Sequence, residues 1–133
     1  MPDQTGPQVS FRPEFPLSGL AGLRTNHQPL YGSSILGFFL DSLGKRARGV
    51  RTICSGSLEM AMVACGRTSG YIGIKSDTVS HAATMPLVFA AGGIVTTADG
   101  RRATDTDEVR IASNGQFHDE LVDIVNSAFS CVK

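Results

Sequence analysis

The sequence predicts a single layered α/β domain, a mixed β-sheet flanked by α-helices, and three observations carry that prediction. Short β-branched stretches, VRTIC at 50–54, GYIGI at 70–74, GIVTT at 93–97 and VRIAS at 109–113, alternate with segments of helical period. Glycine and serine stand at the joints between them, where helix caps and turns need them. Finally, 41% of the 133 residues are apolar, enough for one sizeable core. Strands alternating with helices bury their apolar faces best as layers.

Residues 1–31 hold Pro2, Pro7, Pro13, Pro16 and Pro29 among glycine and polar residues, without a persistent apolar period. They read as a tail or an extended wrap, with the domain at 32–133. ILGFFLDSLGKRARG places Ile35, Phe38, Phe39 and Leu43 on one helical face, which predicts a helix over 33–47. SGSLEMAMVACG offers Ser55 or Ser57 as N-cap and Gly66 as the stop. A further helix is predicted over 78–91, with Asp77 at its start and Gly92-Gly93 closing it. Val79, Ala83, Leu87 and Ala90 are its expected buried stripe, and Pro86 should kink it. Asp99-Gly100 marks a turn, and FHDELVDIVNSAF forms a closing helix with Leu121, Val122, Val125 and Phe129 inward.

Charge excludes several classes of partner. Twelve Lys+Arg balance twelve Asp+Glu, so no global field draws the chain to nucleic acid or an anionic membrane. No apolar run approaches the roughly 20 residues that span a bilayer. The N-terminus lacks the basic start and apolar core of a signal peptide. Three cysteines, an odd number without zinc-site spacing, suit reduced thiols in a cytoplasmic protein, with Cys54 and Cys65 expected to be buried.

RTICSGSLEMAMVACGRTSGY, FAAGGIVTTADG and IASNGQFHDEL occur in an order and spacing, over about residues 47–130, that resemble the C-terminal half of the inositol monophosphatase family. Members of that family are magnesium-dependent sugar-phosphate phosphatases. The resemblance implies the family's α/β fold and a substrate-contacting turn at Ser55, Gly56 and Ser57. Physically, that turn lies between a strand and a helix, where free N–H groups and the helix dipole favour an anion. A plain N-cap explains the same residues. The family's last metal-binding aspartate, in WDxAAG, falls on Ser80 when counted back without gaps from Gly92-Gly93. Asp77 reaches that register, as a vestigial metal ligand, only through a three-residue insertion, and it is better placed as an ordinary N-cap. The family's sugar-contacting glutamate aligns with Gly73, and the DPxDGT motif of its N-terminal half occurs nowhere in the chain.

Magnesium on a phosphate ester needs several hard oxygen ligands. The chain, starting at Met1 and roughly half the family's length, is therefore expected to be a truncated or divergent member. By this reading no residue is catalytic, the chain alone does not hold Mg2+, and a phosphorylated small molecule binds weakly. The alternatives are half of a split phosphatase and a non-catalytic phosphometabolite-binding domain. A homodimer or a complementing N-terminal-half chain is the expected protein partner, because loss of one half exposes apolar surface. His81 pairs with Asp77 at i, i+4 either as a metal-ligand pair or, more simply, as an ordinary hydrogen-bonded histidine. His118 reads as a capping or packing residue rather than a base.

Overall fold

Strands and helices alternate along residues 20–25, 33–53, 55–74 and 78–131, the parts described by the computed structural model. In chain order they are β1 (Leu20–Thr25), α1 (Ser33–Gly44), β2 (Val50–Arg51), α2 (Gly56–Ala64), β3 (Gly70–Ile74), α3 (Thr78–Ala90), β4 (Ile94–Thr96), β5 (Val109–Ser113) and α4 (His118–Cys131). The sheet order is β2-β1-β3-β5-β4. β1 runs parallel to both β2 and β3, and β5 runs antiparallel to both β3 and β4. Parallel neighbours need a crossover, which α1 supplies between β1 and β2.

The boundary near residue 31 does not hold for Leu20–Thr25. These residues form β1, with Leu20 opposite both Val50 and Gly70. The strand escapes a reading by period because LAGLRT alternates poorly, and because a strand paired on both flanks is fixed by its backbone ladders. Residues 1–19 and 26–32 lie outside the described residues.

Two apolar clusters occupy the two faces of the sheet. On one face, Phe39 and Leu43 of α1 and Leu121, Ile124, Val125 and Ala128 of α4 pack on Ile72, Ile74 and Ile111. On the other, Met60, Val63 and Ala64 of α2 and Met85 and Val88 of α3 pack on Tyr71, Val95, Ala103 and Ala112. Alternation along β3 sends Tyr71 to one face and Ile72 and Ile74 to the other, as a pleated strand requires. Three layers result, with α1 and α4 on one side and α2 and α3 on the other.

α3 forms where the spacing predicts but buries a different face. His81, Thr84, Met85 and Val88 are buried, whereas Val79 is 83% and Leu87 51% exposed, and Ala83 and Ala90 are exposed too. Counting only apolar residues misplaces the stripe, because two inward positions are polar and find partners. The Thr84 hydroxyl donates to the Ser80 carbonyl at 2.8 Å, and His81 meets Tyr71. Pro86 stands inside the helix, which continues through it to Ala90; Pro86 and Ala82, whose carbonyl it cannot serve, are both exposed. At the far end, Gly92 N–H donates to Phe89 O at 3.0 Å and Gly93 N–H to Val88 O at 2.8 Å. With Gly92 at φ 82°, this is a Schellman stop.

Candidate functional site

Ser55 sets the geometry of the turn from β2 into α2. Its backbone is extended (φ −134°, ψ 97°), and its carbonyl accepts the first helical bond from Glu59 N–H at 2.9 Å. Its hydroxyl accepts from Leu58 N–H at 3.4 Å. Ser55 is therefore the N-cap, and the positive end of α2 opens at Gly56 and Ser57. The Ser57 hydroxyl donates to the Ser80 carbonyl at 3.3 Å, so it ties α2 to α3.

Gly56 is buried for a steric reason. A Cβ there would lie 2.9 Å from His81 Cε1 and 3.2 Å from Tyr71 Oη. Those two rings form a buried pair: Tyr71 Oη lies 2.9 Å from His81 Nε2, and the ring centroids are 5.7 Å apart. Gly73 makes the pair possible, since a Cβ on it would strike the Tyr71 ring at 2.9 Å. Glu59 completes the site from the first turn of α2. It is fully buried, and its Oε1 accepts from Ile53 N–H at 2.7 Å. An ionised carboxylate at that position answers the helix dipole and opposes a second anion.

The structure thus brings Ser55, Gly56 and Ser57 together with Ser80 and His81. Asp77 lies outside the described residues, as does Cys54. His81 is fully buried and committed to Tyr71. Among the described residues the donor set does not fit magnesium. It consists of hydroxyls, an imidazole and one carboxylate already bound to a backbone N–H, where several free hard oxygens are needed. Among the described residues no group of three or more His, Cys, Asp or Glu is arranged to hold a metal. Glu59 and Tyr71 were not singled out from sequence. The signal for Tyr71 was present in Tyr-x-Gly on one face of β3, an aromatic ring beside a residue with no side chain.

A second buried histidine pins β4, β5 and α4 together. His118, the first residue of α4, has Nδ1 2.7 Å from Ser113 Oγ and Nε2 2.7 Å from Thr96 Oγ1. Gly115 N–H donates to the same Ser113 oxygen at 3.0 Å. A neutral ring satisfies this network, one nitrogen donating to its hydroxyl and the other accepting from the hydroxyl opposite. Burial pushes its pKa below the ordinary 6.5, against the neighbouring Asp119 carboxylate, which raises it. On the hairpin between β4 and β5, the Arg101 side chain and the Thr104 N–H and hydroxyl hold Asp107 well below the usual carboxylate range. Cys65, expected inside, is exposed just past α2, where a helix end leaves the sheet.

The family model described as inositol monophosphatase family matches residues 20–129. Among curated proteins, a Thermotoga maritima fructose-1,6-bisphosphatase/inositol-1-monophosphatase is 36% identical over 90 residues, which are 68% of this chain and 35% of that protein. A Bacillus subtilis inositol-1-monophosphatase is 36% identical over 80 residues, 59% of this chain and 30% of that protein. Among solved structures, a Thermotoga maritima IMPase superposes with a TM-score of 0.80 at 27% identity, over 97% of this chain and 49% of that one. The inositol monophosphatase of Anabaena gives 0.75 at 26%, over 90% and 48%. The chain spans about half the length of the solved structures it matches.

Proposed function

The chain belongs to the inositol monophosphatase family, and from that premise we propose that it supplies the anion-cradling half of a magnesium-dependent sugar-phosphate phosphatase. The metal-binding carboxylates come from outside the described residues, and these residues alone do not turn substrate over. The observation that carries this reading is the chemistry around the N-terminus of α2. Backbone N–H groups at Gly56 and Ser57 head a helix, yet the groups beside them are the Ser55 and Ser57 hydroxyls, the Ser80 carbonyl, the Tyr71–His81 pair and a buried, bonded Glu59. Such a site attracts a phosphate weakly and lacks the oxygen ligands to polarise it. The substrates named for the relatives, inositol monophosphate and fructose bisphosphate, define the class.

The exposed apolar side chains of α2 and α3 support a protein partner. Leu58 is 49%, Val79 83% and Leu87 51% exposed. The occupant of that surface is a polypeptide carrying the other half of the fold, and a second copy of this chain is the competing outcome. A cytoplasmic setting suits the substrate class and the free thiols Cys65 and Cys131. Among the described residues no helix is long and apolar enough to cross a membrane.

The test is a phosphate-release assay with inositol 1-phosphate and millimolar magnesium. The chain alone stays at the blank, and adding the N-terminal half of the Thermotoga relative produces magnesium-dependent release. Turnover by the chain alone that disappears in Asp77→Asn would overturn the reading and make Asp77 a metal ligand.

A further inference from the structure

A cleft of about 490 Å³ lies between α3 and the segment that follows the β4 turn. Ala82, Met85, Pro86 and Phe89 line one wall. Their spacing at i, i+3, i+4 and i+7 makes one continuous stripe along α3. Arg102 and Asp105 line the opposite wall. The guanidinium carbon of Arg102 stands 3.9 Å from the centroid of the Phe89 ring, a cation–π contact. A guanidinium laid flat on a ring keeps its N–H edge available for a carboxylate.

Two properties distinguish this cleft from an ordinary surface dent. First, its polar wall is held in place from beneath. Arg110, fully buried, donates to the carbonyls of Thr104 and Asp105, Ala103 N–H donates to Val95 O at 3.0 Å, and Arg102 bridges to Thr96. Second, the cleft carries two opposite charges that do not meet. Among the described residues neither Arg102 nor Asp105 has an ion-pair partner, while nearby Arg101 pairs with Asp99 and Asp107.

We infer that this cleft is a binding site for a small zwitterion with a large apolar body, the chemistry of a free apolar or aromatic amino acid. Its carboxylate takes the edge of Arg102, its ammonium group faces Asp105, and its side chain lies on Met85, Pro86 and Phe89. Both charged partners are exposed, so affinity is millimolar and falls with salt.

The experiment is a titration of the full chain with L-phenylalanine, followed through the Met85 methyl and Phe89 ring signals. Phenylacetate lacks the ammonium group, phenethylamine lacks the carboxylate, and glycine lacks the apolar body. The expected order places phenylalanine first, phenylacetate and phenethylamine each several-fold weaker, and glycine without effect. Arg102→Gln and Asp105→Asn, both at exposed positions, should each weaken phenylalanine by about three- to tenfold. Ala82→Trp, at an exposed position on the cleft wall, should fill the cleft and abolish binding. Binding of glycine as strong as that of phenylalanine, an unchanged affinity in Arg102→Gln, or shifts confined to α2 would each overturn the assignment. Self-association that shifts the same signals without ligand would also overturn it, by giving the cleft to a second copy.

Discussion

His81 Nε2 sits 2.9 Å from Tyr71 Oη, and together the two rings close the space that a side chain at residue 56 would need. One buried contact therefore links β3, α3 and the start of α2. The pair fills the space beneath the turn, so the turn admits no side chain at residue 56.

Breaking that contact should cost stability without exposing new surface. Tyr71→Phe removes one hydroxyl from a fully buried position and should destabilise the fold by about 1–2 kcal/mol. Gly56→Ala forces a methyl against His81 and should cost about 1–3 kcal/mol. In urea denaturation both should lower the midpoint at an unchanged slope. A midpoint identical to that of the parent in both variants would show that the pair carries no strain and no energy.

The α2 turn should answer to anions weakly and without a metal. Phosphate is expected to shift the amide signals of Ser55 to Leu58 at millimolar concentration, since a helix N-terminus offers only about 1 kcal/mol. Glu59→Gln removes the carboxylate from the same helix turn and should tighten binding several-fold. Asp77→Asn should leave it unchanged. An absolute requirement for magnesium is the outcome that rejects this picture.

Stability should depend on pH through His118. Its folded pKa lies below the ordinary 6.5 because burial disfavours the charged ring. The unfolded chain therefore takes up a proton that the folded chain refuses. The contribution of a neutral His118 is complete above about pH 6.5 and declines as pH falls through the lowered folded pKa. Urea midpoints measured from pH 7.5 to 5 should fall, and His118→Gln should flatten the decline relative to the parent. Equal slopes in the two proteins would remove His118 from the titration.

The two faces of α3 should separate stability from association. Val88 is fully buried and Met85 nearly so; Met85→Ala should cost about 2–5 kcal/mol. Val79→Glu and Leu87→Glu, at exposed positions, should change stability by no more than about 0.5 kcal/mol. These same variants should abolish capture of a complementing half in analytical ultracentrifugation. Full assembly of both variants would place the interface elsewhere.

Much of this architecture was legible because local chemistry agreed with it. Ser55 as N-cap, Gly92-Gly93 as a helix stop and Val109–Ser113 as a strand follow from residues whose backbone preferences point one way. β1 was not legible, since its placement rests on partners thirty to fifty positions away, Val50 and Gly70, rather than on its own pattern. The buried face of α3 is not legible in its apolar period, because His81 and Thr84 turn inward only when Tyr71 and the Ser80 carbonyl are there to receive them. Glu59 is hidden for the same reason: a carboxylate in a first helical turn reads as solvent-facing until Ile53 N–H meets it.

The position of β1 between β2 and β3 also covers a strand edge. Gly70–Ile74, read GYIGI, has no charge and no proline, and all five of its residues are buried. β1 occupies the hydrogen-bonding flank of β3 that β5 leaves open. With β1 detached, that flank would become an uncapped, uncharged edge able to template pairing between molecules. Leu20–Thr25 thus guards the sheet against fibre-like association, whichever companion the outer helices receive.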